Sequence, residues 1–245
     1  MTRTVPVGLQ LYTLRDQLAQ DFSGTLDAVA AAGIREVELA GEYGGLDGSS
    51  LRAALAERGL QATAAHIGGA ALDHDLAGQI AFLQAVGVTR AVYPYFQGEE
   101  AEWFALADTL ERLAGALAGA GIQLSYHNHD HELSGTAGGQ TILDLLLERA
   151  PSLSLELDTA WVYAGGQDPV AYLRRYADRT PLVHLKDLRR EGEVWRTVEL
   201  GAGDVPLAAI LEAVPAGASV FYEQDHADGL NSLRTSLAFL RGPGT

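Results

Sequence analysis

Eight strand-like runs alternate with eight helix-like segments along this chain, and no other feature restricts its fold as strongly. The strand-like runs are Pro6–Leu11, Ile34–Leu39, Gln61–His66, Thr89–Pro94, Ile122–His127, Leu153–Asp158, Leu182–Lys186 and Ser219–Glu223. Each is short, bounded by turn residues and mostly apolar, as buried strands are. Helix-like segments lie between them at Phe22–Ala32, Ser50–Arg58, Ala77–Val86, Glu99–Ala120, Gln140–Glu148, Pro169–Ala177, Val205–Leu211 and Asn231–Leu240. Ala32-Gly33 and Ala120-Gly121 read as left-handed helix ends. Asp168-Pro169 and Asp204 read as helix starts, and His74-Asp75 as another. Strand starts recur roughly every 30 residues, the spacing of a βα unit, with no sequence repeat. Nothing marks the edges of an open sheet, and no linker or charge block divides the chain. The expectation is an α/β fold, a single (β/α)8 barrel forming one domain over residues 1–245.

Composition agrees and narrows the partners. The chain has 245 residues, close to the usual size of such a barrel. Its net charge of −15 repels phosphodiester backbones, so no nucleic-acid partner is expected. There is no cysteine, which excludes disulfides, thiolate nucleophiles and zinc–thiolate centres. No run approaches the roughly 18 apolar residues of a membrane span, and the N-terminus lacks a leader pattern. No membrane partner and a cytoplasmic location are therefore expected. Trp103 and Phe104 could serve a homo-oligomer interface or simply pack.

Chemistry concentrates where strands end. Ser125-Tyr126-His127-Asn128-His129-Asp130-His131-Glu132 packs three of the seven histidines and two acids behind an apolar run. Asp158, His184 and Glu223 each close a later apolar strand, and His226 follows near enough to reach the same place. Polar groups at successive carboxyl-terminal strand ends belong to the mouth of a barrel. An acid there is costly to bury alone, and two acids with an imidazole offset that cost by sharing a divalent cation. Glu132, His127 and His129 are the candidates for a fourth ligand. Gln10, Tyr12, Glu38, His66 and Tyr93 are further strand-end groups that could meet a ligand. Lys186 could bind an oxyanion or pair with Asp187 or another acid. The glycines of Gly165-Gly166 and Gly201-Ala202-Gly203 read as turn geometry rather than a phosphate loop.

Taken together, Gly8-Leu9-Gln10-Leu11-Tyr12-Thr13-Leu14, Val37-Glu38-Leu39, Tyr126-His127-Asn128-His129, Leu157-Asp158-Thr159, His184-Leu185-Lys186-Asp187 and Tyr222-Glu223 resemble the xylose isomerase-like TIM barrels called sugar phosphate isomerases/epimerases. The resemblance implies a metal held by a Glu-Asp-His-Glu set, with Asp158, His184 and Glu223 as three ligands and Glu132 as first choice for the fourth, His129 next. It implies Mn, Mg, Co or Zn as the ion and a small carbohydrate as substrate. Gln10, Tyr12, Glu38, His66, His127, Trp161 and Lys186 are the expected substrate-binding set. Trp161 stands where ketose epimerases have a histidine, which aligns the chain with the branch that includes inosose dehydratases.

The activity expected is a divalent-metal-dependent sugar isomerase or epimerase that abstracts a proton beside a carbonyl and passes through a metal-stabilised enediolate. Glu223 and Glu132 are the acid–base pair, with His129 or His66 as alternatives. Losing a β-hydroxyl from the same intermediate would make the enzyme a lyase or dehydratase acting on a keto-inositol or 3-keto sugar. Readings of other classes are a non-catalytic sugar-binding barrel and an apurinic endonuclease-like protein. The negative charge and Trp161 count against the nuclease.

Overall fold

In the computed structural model, which describes residues 6–225 and 229–242, the period-two pattern of the strand runs becomes the two faces of one closed sheet. Its strands are β1 (Val7–Gln10), β2 (Glu36–Leu39), β3 (Gln61–His66), β4 (Arg90–Tyr93), β5 (Gln123–His127), β6 (Ser154–Asp158), β7 (Leu182–Leu185) and β8 (Ser219–Tyr222). Each is parallel to its sequence neighbours, and β8 closes onto β1 through Val7↔Val220, Gly8↔Phe221 and Leu9↔Tyr222. Eight main helices follow the strands: α1 (Phe22–Ala31), α2 (Gly48–Ala56), α3 (Gly69–Val86), α4 (Glu100–Gly119), α5 (Ile142–Arg149), α6 (Pro169–Arg175), α7 (Leu207–Ala213) and α8 (Gly229–Arg241). The architecture is the (β/α)8 barrel that the alternation predicts.

Successive residues of a strand point to opposite faces. One face, including Leu9, Val37, Leu39, Ala65, Ala91, Leu124, Leu155, Leu157, Val183, Leu185 and Val220, joins the large apolar core beneath the helices. The other face fills the barrel in layers. At the amino-terminal end Glu36 accepts from Thr63 and Ser219, and Arg90 donates to Ser219. Ala64, Val92, Leu182 and Phe221 form a separate apolar cluster above them. Gly8 belongs to this layer: a Cβ there would meet the Phe221 ring at 2.7 Å and the Glu36 carbonyl at 2.8 Å. Two residues further along each strand the layer turns polar, with Gln10, Glu38, His66, His127, Glu156 and His184. The inward alternation therefore delivers the site directly.

Local signals explain the joints. Gly33 and Gly121 adopt left-handed conformations at φ 92° and 77° where their helices end. Asp168 caps α6 by accepting from Val170 N, with Pro169 in the first turn. Asp75 breaks the helical path within α3 and accepts from Gly78 N, restarting the helix. Asp204 departs from expectation. Its carboxylate accepts from Arg190 N instead of capping α7, whose N-cap is Pro206. Additions at the carboxyl-terminal end without a counterpart in the strand–helix pattern include the helices Arg15–Gln20, His131–Ser134 and Thr159–Ala164, and an antiparallel hairpin of Asp187–Glu191 with Val194–Val198. His226 lies outside the described residues. No helix among those described is long and apolar enough to cross a membrane.

Candidate active site

The inward layer converges on three buried acids. His184, at the end of β7, places Nε2 2.6 Å from Glu38 Oε2 and Nδ1 2.8 Å from Glu223 Oε2. Glu156 Oε2 lies 2.7 Å from His66 Nε2, 2.9 Å from His127 Nδ1 and 3.3 Å from His184 Nε2. Gln10 donates to Glu38 Oε2 at 2.8 Å and accepts from Tyr12 N, locking β1 to β2. Burial lowers the pKa of His184, but Glu156, Glu38 and Glu223 together hold it well above the usual imidazole value. Burial pushes Glu156 up and is overridden by His184 and His66, which leave it well below the usual carboxylate range. Glu38 shows the opposite balance: burial and the neighbouring Glu156 raise it to about 7.

Asp158 ends β6 and caps the helix behind it, with Oδ1 accepting from Ala160 N and Trp161 N. Its Oδ2 is buried and accepts no hydrogen bond, and Lys186 Nζ stands 3.2 Å away. Asn128 ties the end of β5 to the same residue: Asp158 N donates to Asn128 Oδ1, and Asn128 Nδ2 donates to Asp158 O. Lys186 Nζ also lies 2.8 Å from Glu223 Oε2 and 3.2 Å from Asp225 Oδ2. Lys186 therefore pairs with Asp158, Glu223 and Asp225. Asp187 turns to backbone N–H groups instead, as described below.

Among the described residues, two sets of four bring ligand atoms within 4.8 Å of one another: His66, His127, Glu156 and His184, and His127, Asp158, His184 and Glu223. The second fits a divalent cation better. Two imidazoles and two carboxylates suit Mn, Co or Zn. Asp158 Oδ2 supplies a buried oxygen without a hydrogen bond. Each imidazole also rests its other ring nitrogen on a buried acid, His127 Nδ1 on Glu156 and His184 Nε2 on Glu38. Metal-binding histidines are held this way, because the contact fixes tautomer and ring orientation.

Glu132 is in neither set. Its carboxylate accepts from Tyr126 OH and His129 N, each at 2.7 Å, and His131 Nε2 is 3.2 Å away. It braces the turn after β5. His127, the third candidate for that place, takes part instead. Glu156, Asn128, Asp225 and Arg15 join the site without having been singled out. Glu156 shares the face of Asp158 two residues later, and Asp225 follows Glu223 by the same step. That period is the signal that could have found both.

Above the acids opens a cleft of about 650 Å³. Tyr12, Arg15, His66, Tyr95, His127, His129, Trp161, Lys186, Glu223 and Asp225 line it. Gln10, Glu38, Asp158 and His184 lie beneath, fully buried. The carboxylates lining the cleft, Glu223 and Asp225, both follow β8. His129 and Trp161 also line the cleft, ring centroids 6.0 Å apart, with His129 Nδ1 and Trp161 Nε1 buried and without partners. Burial, with His127 and Lys186 nearby, lowers His129 to about 2. A volume of this size suits a monosaccharide or a cyclitol.

Comparison with known proteins gives a family and a fold. Residues 26–241 match the family described as xylose isomerase-like TIM barrel. Over 138 residues the chain is 38% identical to an inosose dehydratase of Geobacillus kaustophilus, a stretch covering 52% of this chain and 44% of that protein. The matched part is thus less than half the length of that relative. Among solved structures, a sugar phosphate isomerase/epimerase from Parabacteroides distasonis superposes with a TM-score of 0.78 at 22% identity, over 99% of this chain and 96% of its own. The probable 3-DHS dehydratase of Bacillus anthracis superposes with a TM-score of 0.79 at 14% identity, over 98% of this chain and 100% of its own. At those identities the likeness concerns the fold.

Proposed function

The chain belongs to the xylose isomerase-like TIM barrel family, and from that premise we propose that it is a divalent-cation-dependent lyase that dehydrates a polyhydroxylated ketone, a keto-cyclitol of the inosose kind or a 3-keto sugar. The observation that carries this reading is the placement of the carboxylates that line the cleft: Glu223 and Asp225 both follow β8, while the ends of β4, β5 and β6 bring Tyr95, His129 and Trp161 to it. Inverting a carbon calls for proton donors and acceptors on both of its faces. Elimination needs one group that takes a proton and returns it to the departing hydroxyl on the same side. The similarity to inosose dehydratases supports the same choice.

A cation held by His127, Asp158, His184 and Glu223 would supply Lewis-acid stabilisation of charge developing on a substrate oxygen. The protein groups do the rest. Burial pushes Glu223 up, but Lys186 and His184 outweigh it, so the carboxylate stays ionised and can accept a proton from the carbon beside the carbonyl. Lys186 is held protonated against burial by Glu223, Asp158 and Asp225, and faces the same space with a fixed positive charge. As the C–H bond breaks, its electrons form the C=C bond and expel the β-hydroxyl. The proton from Glu223 completes the water that leaves. His129 Nδ1 and Trp161 Nε1, both without partners, are free to orient hydroxyl groups.

The test is ¹H NMR in D₂O of Mg-loaded protein against inosose, 3-keto glycosides, ketoses and aldoses. Irreversible loss of a hydroxyl from the ketones, with free sugars unchanged, is the expected result. Interconversion of ketoses with deuterium entering beside the carbonyl would replace the lyase by an isomerase or epimerase.

A further inference from the structure

Two basic side chains line the cleft besides its histidines, and they are used differently. Lys186 is committed to three carboxylates. Arg15 has no carboxylate within ion-pair distance among the described residues. Its Nη1 donates to Tyr12 O at 3.0 Å and its Nη2 to Asp225 O at 2.7 Å. Its guanidinium lies over the Tyr12 ring, 4.4 Å from the centroid. The side chain is thus fixed on three sides, half-buried, and keeps Nε–H and one N–H on each terminal nitrogen for another partner. Arg15 and Lys186 approach Asp225 from opposite directions, one at its carbonyl and one at its carboxylate. The guanidinium therefore sits across one residue from the reacting end of the cleft.

We propose that Arg15 is a specificity-determining residue and that, within the class of polyhydroxylated ketones, the substrate is one that carries a carboxylate bound by Arg15, inosose being a neutral analogue that lacks this contact. The proposal rests on the reading of this cleft as the substrate site and adds the charge of the ligand. A planar fork of N–H donors held in place by carbonyls and an aromatic face is preorganised for a carboxylate. One unpaired guanidinium also matches a charge of −1. A phosphate monoester, at about −1.5 to −2, would remain under-compensated beside the Asp225 carboxylate.

Binding is measured calorimetrically on the full-length, Mg-loaded protein, with no turnover required. The probes are glucuronate, galacturonate and quinate, their neutral counterparts glucose, galactose and inosose, and glucose 6-phosphate. The expected result is that at least one carboxylate binds more tightly than its neutral counterpart and that R15M removes this preference, weakening the carboxylate about 10- to 100-fold. R15K, which keeps the charge and loses the fork, restores part of it. Neutral ligands bind as in the parent, whereas a merely structural arginine would weaken both classes together. Equal affinity for charged and neutral probes overturns the proposal, as does no binding of any carboxylate. Preference for glucose 6-phosphate over glucuronate overturns it in favour of a phosphate ligand. Because dehydration is not being read, failure of the lyase reading would leave a carboxylate preference standing, and the two can be told apart.

Discussion

Glu156 touches three histidines at 2.7, 2.9 and 3.3 Å, so one carboxylate orients the imidazoles on which the proposed cation site depends. Glu156→Gln keeps the volume and removes the charge. Cation affinity is expected to fall about 10- to 100-fold by equilibrium dialysis, and an unchanged affinity would refute the supporting role of this acid. Glu132 gives the contrary prediction. Glu132→Gln leaves one acceptor oxygen where Tyr126 OH and His129 N–H each use one, at a cost of about 1–3 kcal/mol in stability measured by denaturant unfolding. Its cation affinity should stay within about twofold, and a larger loss would return Glu132 to the ligand set. The difference between these acids explains what could be read at this scale. Asp158, His184 and Glu223 stand at the ends of apolar strands, where the burial pattern dictates which way they point. Glu132 follows the strand by several residues. Periodicity says nothing about the path of that turn, and local acceptor-seeking groups, Tyr126 OH and His129 N, captured the acid first.

Among the elements, the hairpin of residues 187–198 shows how one side chain organises a segment that no pattern announces. Asp187 Oδ1 accepts from Leu188 N and Val205 N, and Oδ2 from Gly201 N and Gly203 N. The buried carboxylate thereby pins the start of the hairpin to the loop that precedes α7. The N–H groups of Gly201 and Gly203 are spent inside the protein and are not presented to an anion. A Cβ on Gly203 would meet Asp187 Oδ1 at 2.2 Å, so glycine is required for that approach. Asp187→Ala should cost about 2–3 kcal/mol and lower the melting temperature by about 4–12 °C, with faster amide exchange confined to the hairpin and the 199–205 loop. Uniform exchange across the barrel would contradict a local clamp. The strands and main helices were legible because burial imposes a period on each. The hairpin and the helices Arg15–Gln20 and Thr159–Ala164 were not, since their contacts lie at the half-exposed mouth, where no single face is hidden.

For the molecule as a whole, the barrel places its chemistry at one end and its stability in the layers below, and its response to alkali depends on tyrosines packed around it. Burial raises the pKa of Tyr43, Tyr93, Tyr172 and Tyr176, the last also through the Asp144 carboxylate that its hydroxyl meets at 2.6 Å. Above about pH 10 the unfolded chain loses these protons while the native chain keeps them. The native state then holds more protons, and stability falls as pH rises through that range, having been fully present below it. Melting temperature followed between about pH 8 and 11 should decline past pH 10, with tyrosinate absorbance appearing together with unfolding. Tyrosinate appearing well before unfolding would show that burial is not what protects these residues. The division between mouth and layers also bears on how such a chain diversifies over generations. Because Asp187 clamps the hairpin at its base, changes near Gly192, at its exposed tip, are insulated from the strands. A lineage can lengthen, shorten or recolour that tip while inheriting the barrel intact.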